Sequence, residues 1–364
     1  MTKPEERSPG RIPGLDLLRI LSMGMIVALH LLGQGGILEA AEGEPSARTA
    51  AIAMQCLFYC AVNCYGLLSG YLGGRGRPIA RALLLWVAVV LYSLLFACFF
   101  RWRNPELVGR IFFLRALFPV LTKQYWYFTG YFVLALLMPL LDLGFEKLSR
   151  VGARRAVAAL LLLFWALPAL LHSNVYSLRG GYSMLWLLLL YLLGRLLRED
   201  GLFRRLGTVP LLLLAGGAYA LTLASALRPT VLFGRWSLSL LGYTSPTMVL
   251  LAGCLVLLLS RREGRGSRGE KLLAELSATS FGVYILHTNP LLWYLVFRPG
   301  CLAGWAALGG GWLVPAVIGT AAGVYLVFSV PEYLRLLLFR RLRLRQRLEA
   351  LLDRLFPQRE EGTK

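Results

Sequence analysis

The chain has 364 residues, 57% of them hydrophobic, and a mean hydropathy of +0.62. That excludes a soluble domain of this length and points to a polytopic membrane protein. A net charge of +20 raises nucleic acid as a partner, but the basic residues are parcelled out between apolar runs, so the charge reads as membrane topology.

Charged residues mark out ten uncharged runs: 20–38, 49–74, 82–100, 124–141, 156–178, 180–194, 206–227, 236–260, 276–297 and 299–331. A helix needs about 20 apolar residues to cross the hydrocarbon core, and nine runs reach or approach that length. The sixth is completed if Arg195 snorkels to the surface. The runs are continuously apolar, without the period-2 alternation of a membrane barrel. The expected fold is therefore all-α, with about ten transmembrane helices and both termini in the cytoplasm. In that orientation 28 of the 39 Lys and Arg fall at cytoplasmic ends, as the positive-inside rule requires. Residues 1–14 form a cytoplasmic segment, 15–331 one membrane domain, and 332–364 a basic amphipathic cytoplasmic tail. No cleavable signal peptide is visible, since the first run is full length and lacks a small-residue cleavage pattern.

The first run carries Arg19 and His30. Eleven helical residues rise about 16 Å and make three turns, so the two side chains share a face at two depths. Ionisable groups within membrane spans are costly and count as functional candidates. Alternatively, Arg19 snorkels beside Asp16 and His30 is a packing residue. The second run places Asn63 within the membrane and Gly70, Gly73 and Gly74 at its inner end, before Arg75, Arg77 and Arg81. Cys56, Cys60 and Cys64 lie there at helical spacing and read as small packing residues, so no structural disulfide is expected.

The longest connection, 101–123, is apolar with intermittent arginines, suiting an interfacial or re-entrant segment that either borders a substrate cleft or covers the surface. The fourth run opens QYWYFTGYF, and Trp102, Tyr125 and Trp126 near the outer face are able to stack on sugar rings or to form an aromatic belt. His172, at the outer end of the fifth run, reads as a membrane-edge residue. The ninth run contains SFGVYILH, with Ser280, Tyr284 and His287 near one helical face. In 332–356, Leu337, Leu344, Leu348, Leu351, Leu352 and Leu355 lie on one side, which suits an anchor on the anionic inner leaflet.

Four motifs in order resemble the acyltransferase 3 family. They are the Arg-x10-His of the first run, the N-x-x-G-L-L-S-G-Y of the second, the W-Y-F-x-x-Y of the fourth (Trp126, Tyr127, Phe128, Tyr131) and the Y-x-x-H of the ninth. The resemblance covers about Leu15 to Pro331. It implies an integral enzyme of the bacterial cytoplasmic membrane that O-acetylates a cell-surface glycan or its lipid-linked precursor, with acetyl-CoA as donor substrate and no resident cofactor or metal. By position it makes His30 the catalytic histidine and Arg19 its partner. Arg75, Arg77 and Arg81 occupy the place of the family's arginines after the second span, with looser spacing. Guanidinium forks suit CoA phosphates whatever the family; the alternative is ordinary positive-inside charge.

His30 would act as general base toward an acceptor hydroxyl or as transient acyl acceptor; the sequence leaves both open. Asn63, Tyr284 and His287 are candidates to orient its imidazole or stabilise the oxyanion, or to serve as interhelical hydrogen-bond partners. Tyr125 and Trp126 are candidates for acceptor binding. The expected partners are the lipid bilayer, acetyl-CoA and the glycan acceptor, and not nucleic acid; a homo-oligomer or polysaccharide-assembly partners stay open. The rival class is a transporter or flippase for a lipid-linked glycan, since intramembrane Arg and His also line conduction paths. Against it, no internal repeat is evident. A non-catalytic sensor with this fold is a further rival.

Overall fold

The computed structural model describes residues 11–73, 77–171, 175–228 and 240–355. Helix accounts for 81% of the structure, with no strand among the described residues. The principal helices are α1 (Pro13–Gly33), α2 (Pro45–Phe58), α3 (Ala61–Leu72), α4 (Pro78–Arg103), α5 (Arg110–Leu117), α6 (Trp126–Lys147), α7 (Arg150–Leu161), α8 (Met184–Glu199), α9 (Thr208–Leu227), α10 (Pro246–Leu259), α11 (Arg268–His287), α12 (Gly309–Arg341) and α13 (Leu344–Leu355). Their starts are written locally. Proline stands in the first turn of α1, α2, α4 and α10, where its missing N–H costs nothing. Ser149, Ser183 and Ser267 cap α7, α8 and α11 by accepting backbone N–H bonds.

Six helical stretches among the described residues are long and apolar enough to cross a membrane: Pro13–Gly33, Pro45–Leu72, Pro78–Arg103, Trp126–Lys147, Thr208–Leu227 and Ala303–Arg341. This is a polytopic membrane protein. The other four runs hold shorter or more charged helices, for identifiable reasons. The fifth passes from α7 into a π turn at Leu162–Ala166. The eighth has α10 only from Pro246, its first residues lying outside the described chain. The ninth stops at His287, because Pro290 forces Asn289 out of helical backbone (ψ 125°).

The sixth run departs from expectation. Arg195 does not reach the surface; it is buried, paired with Glu199 at 3.0 Å and Asp142 at 3.5 Å, and lies over the Phe145 ring. An inward carboxylate on α6 satisfies it better than a long reach to solvent. The tail also differs from one amphipathic segment. α12 continues through Pro331 to Arg341, and the chain turns at Arg343 (φ 52°) before α13 begins. Leu337 thus belongs to α12, away from the leucines of α13.

Close approach of backbones organises the bundle. A Cβ at Gly70 would overlap the Tyr191 carbonyl, and one at Gly194 would overlap that of Leu67, so α3 and α8 pack through glycine as membrane helices do. The short α5 lies on the C-terminal end of α4, with Arg101 Nη1 donating to Val108 O. It exposes Ile111, Leu114 and Leu117, as an interfacial helix would.

Candidate active site

α1 and α11 run side by side in the same direction. At one end Ser277 Oγ donates to Asp16 Oδ1 (3.0 Å), and Arg11 Nη2 donates to Ala274 O (3.0 Å). At the other end Leu302 N donates to Gly35 O (2.9 Å) and Gly300 N to Gln34 O (3.0 Å). The first clasp joins the two helices directly and the second ties the end of α1 to the segment that follows α11, so the helices keep one register. The result is that His30, in the last turn of α1, meets His287, the last residue of α11.

His30 Nδ1 and His287 Nε2 lie 2.9 Å apart, with ring centroids 5.0 Å apart. His287 is 2% exposed, and its Nδ1 lies 2.6 Å from the Val283 carbonyl one turn back. A carbonyl only accepts, so His287 Nδ1 carries a proton. In an uncharged imidazole that leaves Nε2 as a lone pair. His30 Nδ1 must then donate to it, and the lone pair of His30 is left on Nε2. Val283 thereby sets the tautomers of both rings, and the partly exposed His30 presents a basic nitrogen.

Rings connect this pair to Arg19. Tyr284 lies 6.4 Å from His287 and 6.2 Å from Tyr127, and Tyr127 lies 6.2 Å from Tyr65. The Tyr65 hydroxyl donates to Arg19 O at 2.8 Å. Arg19 itself is held by Asp16, whose Oδ1 takes its Nη1 at 3.1 Å. Asp16 is buried and also accepts Arg11 Nε at 2.5 Å.

The remaining residues singled out in the sequence are dispersed. Asn63 is fully buried, donating to Tyr243 O (2.8 Å) and accepting from Trp186 Nε1 (3.1 Å), so both ends of its amide serve the packing of α3. Tyr125 is 2% exposed and accepts from Asn289 Nδ2 at 2.9 Å. Trp126 stacks in a group with Tyr182 (4.7 Å) and Tyr243 (6.2 Å), in which Tyr182 is exposed. Arg77 reaches the tail, Nη1 lying 2.6 Å from Asp353 Oδ1 and 2.8 Å from Glu349 O. Arg81 stands one turn further along α4, exposed. Arg75 and His172 lie outside the described residues.

Sequence reading did not assign a role to Asp16, Ser277 or the Val283 carbonyl. Asp16 carried one signal, its place three residues before Arg19. The other two depend on α11 lying against α1.

A family model described as an acyltransferase domain, that of acyltransferase 3, matches residues 12–332. The chain belongs to the acyltransferase 3 family. Neither the curated proteins nor the solved structures contain a match. The acyltransferase 3 match takes in α1 through α11, hence both histidines and the Arg19–Asp16 pair, and ends where Glu332 enters the buried face of α12. An acyltransferase needs a group that can take a proton from its acceptor, and His30 Nε2, which carries the lone pair and makes no hydrogen bond among the described residues, has the chemistry for it.

Proposed function

We propose that this protein is an O-acetyltransferase of the bacterial cytoplasmic membrane, moving an acetyl group from cytoplasmic acetyl-CoA to a hydroxyl of a cell-surface glycan or its lipid-linked precursor. The observation that carries the reading is the His30–His287 pair with its tautomers set by Val283. His30 Nε2 takes the proton of the acceptor hydroxyl as that oxygen attacks the thioester carbonyl. The C–O bond forms, the C–S bond breaks, and His30 returns the proton to the departing thiolate. His287 accepts the Nδ1–H bond throughout, which fixes the ring and favours the imidazolium while it exists.

The reading adopts ten crossings with both termini inside, an arrangement that gives access from two sides. Parallel packing of α1 against α11 requires an odd number of crossings between them, and the seven intervening runs supply it. α3 and α8 are also parallel, with Tyr71 O accepting from Arg198 and Gly66 beside Leu190. Arg19 then lies toward the cytoplasm and His30 roughly 16 Å further out, a depth that a pantetheine arm spans.

The test is transfer by purified protein from labelled acetyl-CoA to a glycan acceptor. Labelled acceptor that vanishes in His30→Ala supports the reading. Acceptor carried across liposomes with no acetyl transfer would replace it with a transporter.

A further inference from the structure

The segment between α4 and α6 carries a charge that membrane topology does not call for. Of the ten Lys and Arg that the ten-crossing arrangement places on the outer side, five lie in residues 101–123, against one carboxylate, Glu106. Topology favours cations on the inner side, so a cluster outside calls for another account. Arg101 is spent locally, on the carbonyls of Pro105 and Val108. Arg110, Arg115 and Lys123 are exposed and form no ion pair among the described residues.

α5 presents two kinds of surface. Phe112 and Phe113 turn inward and pack with Phe100, Val108, Leu291 and Leu295. Ile111, Leu114, Leu117 and Phe118 stay exposed, and at about 100° per residue they share one side of the helix with Arg110 and Arg115. The chain then folds back on that helix. Thr122 Oγ1 donates to Phe118 O (2.9 Å) and Arg115 O (3.4 Å), and Gln124 N donates to Pro119 O (3.1 Å). The residue next to Lys123 is thus bonded to the end of α5 that carries Arg115. Lys123 itself is held at φ 53°, a left-handed backbone that residues with a side chain rarely adopt and that tends to mark functional turns.

Both surfaces stand beside the histidine pair. Leu291, which α5 covers, is four residues beyond His287. Tyr125, two residues after Lys123, accepts from Asn289 Nδ2 at 2.9 Å, and its ring lies 6.1 Å from that of Tyr284. The cations and exposed apolar side chains of α5 therefore lie at the end of the bundle where His30 is partly exposed, and not at the Arg19 end.

We propose that α5 and the turn behind it hold the carrier end of a lipid-linked acceptor, with Arg115 and Lys123 on the oxygens of its phosphate or diphosphate and Leu114, Leu117 and Phe118 along its hydrocarbon chain, so that the attached sugar faces His30. The proposal rests on the acetyltransferase reading and narrows it to the lipid-linked precursor. A water-soluble glycan offers no partner for the apolar side chains, whereas a lipid phosphate complements both surfaces at once. Its anchored phosphate supplies binding energy remote from the reacting hydroxyl.

Separating the sugar from its carrier tests this. The same glycan is offered to the full-length protein in nanodiscs of neutral lipid in two forms, linked to a polyprenyl diphosphate and free of both lipid and phosphate. Transfer from labelled acetyl-CoA is followed in wild type, Arg115→Gln, Lys123→Gln and, as a control for bulk charge, Arg228→Gln, an exposed cation at the end of α9. Arg115→Gln and Lys123→Gln should each raise the KM of the lipid-linked acceptor about tenfold, the scale of one charge-assisted hydrogen bond. The KM of the phosphate-free glycan and that of acetyl-CoA should stay as in wild type, and Arg228→Gln should match wild type throughout. A folding defect would lower transfer to both acceptors alike, and in that case Arg115→Lys and Lys123→Arg, which keep the charge, should recover the lipid-linked acceptor. An unchanged KM for the lipid-linked acceptor in both Gln variants overturns the proposal. Competition by phosphatidylglycerol in the nanodisc, as strong as by free polyprenyl diphosphate, overturns it too, making the segment a general anchor on anionic lipid. Direct binding of polyprenyl diphosphate separates the two readings: wild type that binds it, with the affinity lost in Arg115→Gln and Lys123→Gln, yet acetylates neither acceptor would overturn the acetyltransferase reading and leave the lipid phosphate site standing.

Discussion

Val283 O and His287 Nδ1, one helical turn apart on α11, are 2.6 Å from each other, and this contact within a single helix determines which nitrogen of His30 on another helix is basic. The relay differs from a carboxylate-supported histidine in that no member carries a fixed charge, which suits a site within a bilayer. His30→Ala should lower kcat by about 10²–10⁴-fold, the usual contribution of a general base, with the acetyl-CoA KM little changed. His287→Ala should be nearly as severe, whereas His287→Gln, whose amide oxygen can still accept from His30 Nδ1, should retain part of the rate. Near-normal turnover in His287→Ala would show that His30 needs no orienting partner. Single-turnover assays with both substrates distinguish these outcomes from slow product release.

Asn63 offers a contrast. Its amide joins Tyr243 O and Trp186 Nε1 and makes no hydrogen bond to His30 among the described residues. Asn63→Ala should therefore destabilise the detergent-solubilised protein by about 0.5–2 kcal/mol of interhelical hydrogen bonding, read as a lower Tm, and leave the kcat of the folded fraction intact. A normal Tm with lost kcat would return Asn63 to the chemistry.

Gly282 on α11 is the notch that receives Glu332 of α12. A Cβ there would overlap the Glu332 carboxylate, which is buried with Arg335 (2.6 Å) and accepts the Tyr92 hydroxyl at 2.9 Å. Gly282→Ala should be destabilising, and the effect should shrink in a Glu332→Ala background, since the two substitutions act on one contact. Glu332→Ala alone should cost about 3–5 kcal/mol by leaving the Arg335 guanidinium buried and unpaired. Thermal unfolding of the four proteins in one detergent gives the coupling; strict additivity would mean that the notch is not the cause.

Topology has its own probe in the native thiols. Cys301 is exposed and follows α11, which the ten-span arrangement directs outward, whereas Cys98 is exposed on the flank of α4, where lipid would cover it. A membrane-impermeant maleimide added to intact cells should label Cys301 and spare Cys98. Labelling of Cys301 only after the membrane is opened would invert the orientation.

What the sequence determined by itself was whatever is written in adjacent residues. Apolar run length established a helical membrane protein, and proline and serine marked the helix starts, because hydropathy and caps act within a few positions. The motif order gave the family, later matched over residues 12–332. His30 and His287 were each legible as ionisable groups in apolar runs, but their 2.9 Å contact joins residues 257 positions apart, and no local pattern encodes it. The same holds for Arg195, read as a surface-seeking cation and found buried beside Asp142, and for Asn63, whose amide is spent on Tyr243 and Trp186. Charges and amides in a membrane take whichever partner the neighbouring helix brings, and only the tertiary packing decides which helix is the neighbour.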